Sequence, residues 1–348
     1  MDPTVISIPE ERVVDGKSFP LTLDYSDHSL EEICTWVAAN KEKLDDLLRD
    51  HRGILLRCGS QADSYQAFHD IVDSTGLETM EYIGGAAVRT QLTPRVFTAN
   101  ESPASEQIPF HHELAQTPEP PTHVLFFCEV PPTSDGETPI LVSSEVYDRM
   151  NTLHPQFMSA IEARGLKYVR VMPEHDDPSS AIGRGWRATF NASDTETAEA
   201  ALRKIGSSWA WLPDGSLRTV TATVPAIRTD DQPAGVRRSQ RKTFFNSMVA
   251  AYTGWNDERN EGKRAVILGS DSSGAGSGND AEGAIDPARL LDGMAMADAV
   301  KIMEEVCVAF RWQAGDVLLL DNRTVMHSRR PFQGSRRILA SLVRDPSR

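Results

Sequence analysis

Nine histidines and 50 acidic residues among 348 positions leave few places where an imidazole and a carboxylate could share a metal ion. A His and an acid two residues apart on a strand turn to the same face, which is the arrangement a shared ion needs. Two segments have that spacing, His111-His112-Glu113 and His175-Asp176-Asp177, and roughly one is expected by chance, so context has to separate them. His175 lies in MPEHDDPSS, whose Pro, Asp and Ser describe a solvated turn. His111 follows Ile108-Pro109-Phe110 and precedes Leu114, where the chain reads as a strand edge at the mouth of a barrel. His112, between the two candidate ligands, alternates away from them and reads as a packing residue or one that supports the ligands from behind.

A third ligand has to come from a distant strand, and His327 is the only histidine after residue 175. Two histidines and one carboxylate on one side of a metal, with the other positions open, form the facial triad of non-haem Fe(II) oxygenases. A zinc hydrolase could use the same donors, and a barrel serving only as a binding module would give them no task. Ten residues further on, RILASLVR reads as a strand. Arg337, Leu339, Ser341 and Val343 share one face of it, and Ile338, Ala340, Leu342 and Arg344 the other. A guanidinium on the inner face of a small barrel is costly unless an anion neutralises it, and its planar fork suits a carboxylate.

The elements that must position these residues follow from the apolar pattern. Residues 29 to 50 have helical spacing behind a Ser cap, 54 to 56 a short buried strand, and 60 to 74 a second helix. From about 80 the texture becomes short apolar or alternating runs punctuated by Gly, Pro and Asp-Gly: 124 to 128, 209 to 212 with its Pro-Asp-Gly turn, 220 to 224, 317 to 320 and 337 to 344. Helical patches interrupt them at about 144 to 164, 194 to 205 and 286 to 309. The Gly/Ser-rich run GSDSSGAGSGNDAEG at 269 to 283 reads as a mobile insertion. This is an α+β, mainly β pattern, a barrel or jelly roll with flanking helices. A single domain over 1–348 is expected, with 1–80 as helix-and-strand support and 81–348 as the core.

Composition narrows the partners. With 36 basic against 50 acidic residues the net charge is −14, which excludes the basic stripe that grips nucleic acid. Neither a leader-like start nor a membrane-length apolar run is present, so a cytoplasmic protein with a small-molecule substrate is expected; the oligomeric state is left open. The four cysteines, Cys34, Cys58, Cys128 and Cys307, form no CxxC pair and read as ordinary buried thiols. There is no G-x-S-x-G, Walker A, HExxH or GxGxxG motif. The last 26 residues, 323 to 348, nevertheless hold seven Arg and a single acid, Asp345.

FHHELAQ at 110 to 116, PPTSDGET at 131 to 138, FFNSMVAAYTGW at 244 to 255 and GDVLLLDNRTVMHSRRPFQGSRRILASLVR at 315 to 344 resemble the Fe(II)- and 2-oxoglutarate-dependent dioxygenases of the taurine dioxygenase (TauD/TfdA), clavaminate synthase-like family. The resemblance implies a double-stranded β-helix, a cupin-like jelly roll. It implies His111, Glu113 and His327 as Fe(II) ligands, with 2-oxoglutarate and O2 as cosubstrates. Thr138 and Arg337 would hold the distal carboxylate of 2-oxoglutarate, with Arg336 pointing the opposite way. The implied reaction couples decarboxylation of 2-oxoglutarate to succinate and CO2 with hydroxylation, desaturation or oxidative cyclisation of a small amino acid or carboxylic acid. Asn246, Arg89, Asn100, Gln116, Ser341 and Val343 are the candidate substrate residues. Ser341 stands where several relatives carry a second Arg, which argues against a taurine-like substrate. Glu113 argues against a halogenase, which would need a small residue there.

Overall fold

The computed structural model describes residues 2–229, 241–269 and 280–345. Its centre is a large sheet in the order Thr4–Ile6, Leu21–Asp24, Gly53–Arg57, Asp316–Asp321, His123–Val130, Arg337–Arg344, Glu78–Thr79, with Phe97–Thr98 also paired to Arg337–Arg344. Every pairing is antiparallel except that of Leu21–Asp24 with Gly53–Arg57. A small sheet, Ile140–Val142, Val325–Arg329 and Ile108–His111, lies against it. Leu55, Val124, Phe126, Leu318, Leu320, Ile338, Ala340 and Leu342 of the large sheet share one core with Ile140, Val142 and Val325 of the small one. The central strands are buried on both faces and therefore read as continuous apolar runs such as VLFFC.

Helices cover both outer faces. On the large sheet they are Leu30–Ala39, Lys41–His51 and Tyr65–Thr75, whose Ile33, Val37, Leu48, Phe68 and Ile71 pack with Leu125, Phe127, Leu339 and Val343. Behind the small sheet, Ser143–Leu153, Pro155–Arg164, Met248–Gly254 and Gly293–Val306 enclose Phe110, Leu141 and Met326. A four-stranded sheet, in the order Ser208–Trp211, Leu217–Val220, Leu166–Met172 and Val266–Leu268, flanks this half. The architecture is mixed helix and strand rather than mainly β, and among the described residues neither sheet closes on itself. No helix of the described residues is long and apolar enough to cross a membrane.

The expected helices are present with breaks. Ser29 forms a capping box with Glu32, but the single helix of 29 to 50 divides at Asn40, whose N–H turns back to Val37 O. The patch at 144 to 164 divides at His154-Pro155, where Pro155 occupies the first turn of a new helix. Most of the Gly/Ser-rich run, residues 270–279, lies outside the described residues.

Arg337–Arg344 is a strand as expected, but its faces are the reverse of those assigned. Ile338, Ala340 and Leu342 face the small sheet, whereas Leu339 and Val343 face the helices. Both faces are buried, so alternation fixes the two sets without saying which is inner. A register shift between Arg337 and Ile338 then ends the regular pairing.

Candidate active site

His111 is the last residue of Ile108–His111, and His327 is the centre of Val325–Arg329; the two are direct cross-strand partners. Their rings lie 4.4 Å apart between centroids. Glu113 reaches them by a different route from the one its spacing suggests, because the strand has ended and the chain turns through Leu114 at φ 53°. Asn322, in the turn before His327, fixes that bend. Its Oδ1 accepts the Glu113 N–H at 2.8 Å, and its Nδ2 donates to Glu113 O at 3.0 Å and Pro121 O at 2.8 Å. Its own carbonyl contacts Nδ1 of His112 at 2.5 Å. His112 is buried and lies against Phe245, in the packing role expected of it. His175 is solvated, with 78% of its side chain exposed.

His111, Glu113 and His327 each offer one donor atom, all within 4.8 Å of one another. Glu113 Oε2 lies 3.5 Å from His327 Nε2 and 3.9 Å from His111 Nε2, and it has no hydrogen-bond partner although buried. An orphaned carboxylate oxygen facing two imidazole nitrogens is a donor set that fits a divalent cation. His111 Nδ1 sits 2.9 Å from Pro109 O, which assigns its proton to that nitrogen and leaves Nε2 as the donor. Burial, and secondarily the charge of His327, pushes His111 down to about 4, so its ring is neutral at neutral pH. Burial works to raise Glu113, but the Arg89 guanidinium and then the two imidazoles outweigh it and hold the carboxyl far below its usual range.

These groups line one cavity with Thr138, Arg329, Arg336 and Ile338. Thr138 lies just before Ile140–Val142, and its Oγ accepts from Trp312 Nε1 at 3.1 Å and from Arg336 Nη2 at 3.2 Å. Arg336 Nε donates to Gly136 O at 2.9 Å. Gly136 has φ +70°, and a Cβ there would lie 2.7 Å from that of Phe332, so the close approach of this turn to Arg336 needs glycine. Arg336 has no carboxylate partner within ion-pair distance among the described residues, and burial with the Arg329 charge pushes it down to about 9.

Arg337, the arginine expected in the cavity, lies outside it. It is 45% exposed along its side chain and pairs with Glu129 at 2.5 Å. Arg336, two residues before the inner Ile338, occupies the cavity instead. Of the candidate substrate residues, Arg89, Asn100 and Gln116 line the cavity and the others do not. Asn246 is buried with its amide held by Ala226 O and Met248 N. Ser341 and Val343 are buried on the opposite face of their strand, turned from the cavity. Arg89 is committed to Glu113, with Nη2 3.1 Å from Oε1. Asn100 Oδ1 takes the Ser102 N–H at 2.7 Å, and Gln116 Nε2 donates to Gly84 O at 3.3 Å. Asn322, Arg336, Trp312 and Arg329 were missed as site residues by sequence reasoning; Asn322 was within reach, since residues 322–324 form the turn between two strands.

The model of the taurine catabolism dioxygenase TauD, TfdA family matches residues 17–343. The chain belongs to the TauD/TfdA family. A clavaminate synthase-like protein of Arabidopsis thaliana is 43% identical over 344 residues, covering 97% of each chain. The dapdiamide synthesis protein DdaC of Enterobacter agglomerans is 25% identical over 330 residues, covering 94% of this chain and 90% of that one. In fold, this TauD/TfdA chain is similar to AAD-2, crystallised with Mn(II) and N-oxalylglycine, with a TM-score of 0.53, 12% identity and coverage of 99% and 98% of the two chains. The protein is an Fe(II)- and 2-oxoglutarate-dependent dioxygenase.

Proposed function

We propose that the protein couples decarboxylation of 2-oxoglutarate, giving succinate and CO2, to oxidation of a small amino acid or carboxylic acid, by hydroxylation, desaturation or oxidative cyclisation. In this reading His111, Glu113 and His327 hold Fe(II), and Arg336 with Thr138 holds the distal carboxylate of 2-oxoglutarate. The facing sheets are read as the halves of a jelly roll, in one domain for which residues 1–80 supply the outer support. One observation carries the proposal: the three donors and an unpaired buried arginine lie in the same cavity.

When bound, the iron supplies the activation of O2 and of the 2-oxo acid. The chain's own residues supply placement. Both lone pairs of Thr138 Oγ are taken by Trp312 and Arg336, so its remaining proton is the one that can be donated to a carboxylate oxygen. Arg336 is a buried cation held by one carbonyl and one hydroxyl, and an arriving carboxylate relieves it. The same cavity is also lined by Tyr82, Ala87, Ile108, Leu114, Ala250 and Trp255, an apolar wall suited to a substrate carbon.

Anaerobic titration with Fe(II) and 2-oxoglutarate tests the assignment through the metal-to-ligand charge-transfer band. Wild type should develop the band, and His111→Ala and Glu113→Ala should not. A band unchanged by His111→Ala would sink the ligand assignment.

A further inference from the structure

Arg89 was expected at the substrate, but its guanidinium is turned to the acid ligand. We infer that Arg89 is a positioning residue that reserves one oxygen of Glu113 and so keeps the metal's remaining positions open for the 2-oxo acid. The inference rests on the ligand assignment proposed above.

A carboxylate can bind a cation through one oxygen or two, and the two modes differ by one occupied coordination position. In a site with three protein ligands, a second oxygen from the acid would take a position that the chelating cosubstrate needs. The two oxygens of Glu113 are already distinguished. Oε2 faces the imidazoles with no hydrogen bond, and Oε1 accepts from Arg89 Nη2 at 3.1 Å. Both side chains are buried, at 8% and 4% exposure, so water does not compete for this bond.

Arg89 is built to stay in place. Its guanidinium carbon lies 3.9 Å from the Tyr82 ring centroid and 5.0 Å from that of Phe97. Arg184 occupies the Tyr82 ring as well, at 4.7 Å. Phe97 is paired with Ala340 of the large sheet, and Thr90 is tied to Thr98 by two hydrogen bonds, 2.9 Å from Thr98 N to Thr90 O and 2.8 Å from Thr90 N to Thr98 Oγ1. The segment that carries Arg89 is therefore anchored to the strand that follows Arg336. Among the described residues Nε and Nη1 of Arg89 are buried without a hydrogen-bond acceptor, and the aromatic faces and Glu113 hold the cation.

The charge and the geometry of Arg89 act in opposite directions, and that separates this role from a merely structural one. Removing the cation takes a positive charge away from the metal site and frees Oε1, and both changes favour the metal. The same freed oxygen competes with the 2-oxo acid. Arg89→Met should thus bind Co(II), followed by its visible absorption, at least as tightly as wild type, with band intensity altered by the extra donor. Anaerobic binding of 2-oxoglutarate to the Fe(II) form, followed by the charge-transfer band, should weaken at least tenfold. Arg89→Lys restores one donor toward Oε1 and should recover part of that loss; it also serves if Arg89→Met does not fold. Parallel weakening of metal and 2-oxoglutarate, or no change in either, would overturn the inference. Failure of the wild type itself to bind metal would overturn the ligand assignment instead.

Discussion

Replacing Arg336 and Arg337 separately by Met distinguishes two adjacent guanidinium groups with opposite surroundings. Arg336 is buried without a carboxylate partner among the described residues, whereas Arg337 is 45% exposed and paired with Glu129. Truncating one partner of a buried charge pair costs about 2 to 5 kcal/mol, which is about 30-fold to several thousand-fold in affinity. An exposed ion pair contributes about 0 to 1 kcal/mol, and Arg337 does not reach the cavity. Arg336→Met should therefore raise the KM for 2-oxoglutarate by at least about 30-fold, and Arg337→Met should leave it nearly unchanged. Thermal unfolding of the metal-loaded protein reads the same term without turnover. At a ligand concentration of 100 Kd, wild type gains about 2.7 kcal/mol, and a 30-fold weaker Kd reduces that gain to about 1 kcal/mol. Without 2-oxoglutarate, Arg336→Met should be no less stable than wild type, because an uncompensated buried cation has been removed. A KM effect confined to Arg337→Met, or equal effects of the two substitutions, would refute the assignment.

Thr138→Val keeps the shape but removes the proton left for the carboxylate and the acceptor that Trp312 and Arg336 share, so 2-oxoglutarate should bind at least about 2- to 13-fold more weakly, roughly one hydrogen bond of 0.5 to 1.5 kcal/mol, while Thr138→Ser should be near wild type in the same charge-transfer titration. Pyruvate, which keeps the 2-oxo acid group and lacks the distal carboxylate, should compete with 2-oxoglutarate at least about 30-fold less well in wild type, and that preference should shrink in Arg336→Met. Asp316 gives a pH-dependent stability: burial raises its carboxyl from 3.8 to about 6 against the opposing Arg57. Between those values the folded protein holds a proton that the unfolded chain has lost. The contribution of this one group is then fully present below 3.8 and is lost, by about 3 kcal/mol in all, as pH rises through 6. Asp316→Asn should flatten that part of the denaturation profile, and an unchanged slope would assign it elsewhere.

The triad was legible because its chemistry is concentrated in few residue types. His327 stands alone after residue 175, and His111 and Glu113 sit beside a strand signal that His175 lacks. The reason given for their convergence was incomplete: Glu113 is delivered by a turn clamped by Asn322, not by strand alternation. Thr138 was placed where the structure has it, but its partner was not. In RILASLVR both alternating sets carry buried apolar residues because one packs on helices and the other on the small sheet. Period-2 reasoning needs one wet face to choose between them, and here neither is wet. The same ambiguity displaced Ser341 and Val343 from the cavity. The helix of 29 to 50 failed at Asn40 for a local reason, since Asn is a weak helix interior residue and its N–H turns back to Val37 O.

The arginines explain why a chain of net charge −14 can still hold an anion in its interior. Three of them line the cavity, and their partners separate their tasks. Arg89 is matched one to one by Glu113, so that pair adds no net attraction for a ligand. Arg329 donates to four backbone carbonyls, those of Asn100, Ser102, Pro103 and Glu106, which satisfies its hydrogen bonds without cancelling its charge. It ties the 100–106 segment to the strand that carries His327. Arg336 has a carbonyl and a hydroxyl as partners, likewise with no cancellation. Burial pushes both Arg329 and Arg336 down, to about 10 and about 9, so each remains charged at neutral pH at a standing cost. Two uncompensated cations at the Thr138 end and a neutralised one at the Glu113 end give the cavity a polarity along its length. Under the proposed assignment, a dicarboxylic 2-oxo acid would match that polarity with its distal carboxylate on the cations and its 2-oxo acid end toward His111, Glu113 and His327.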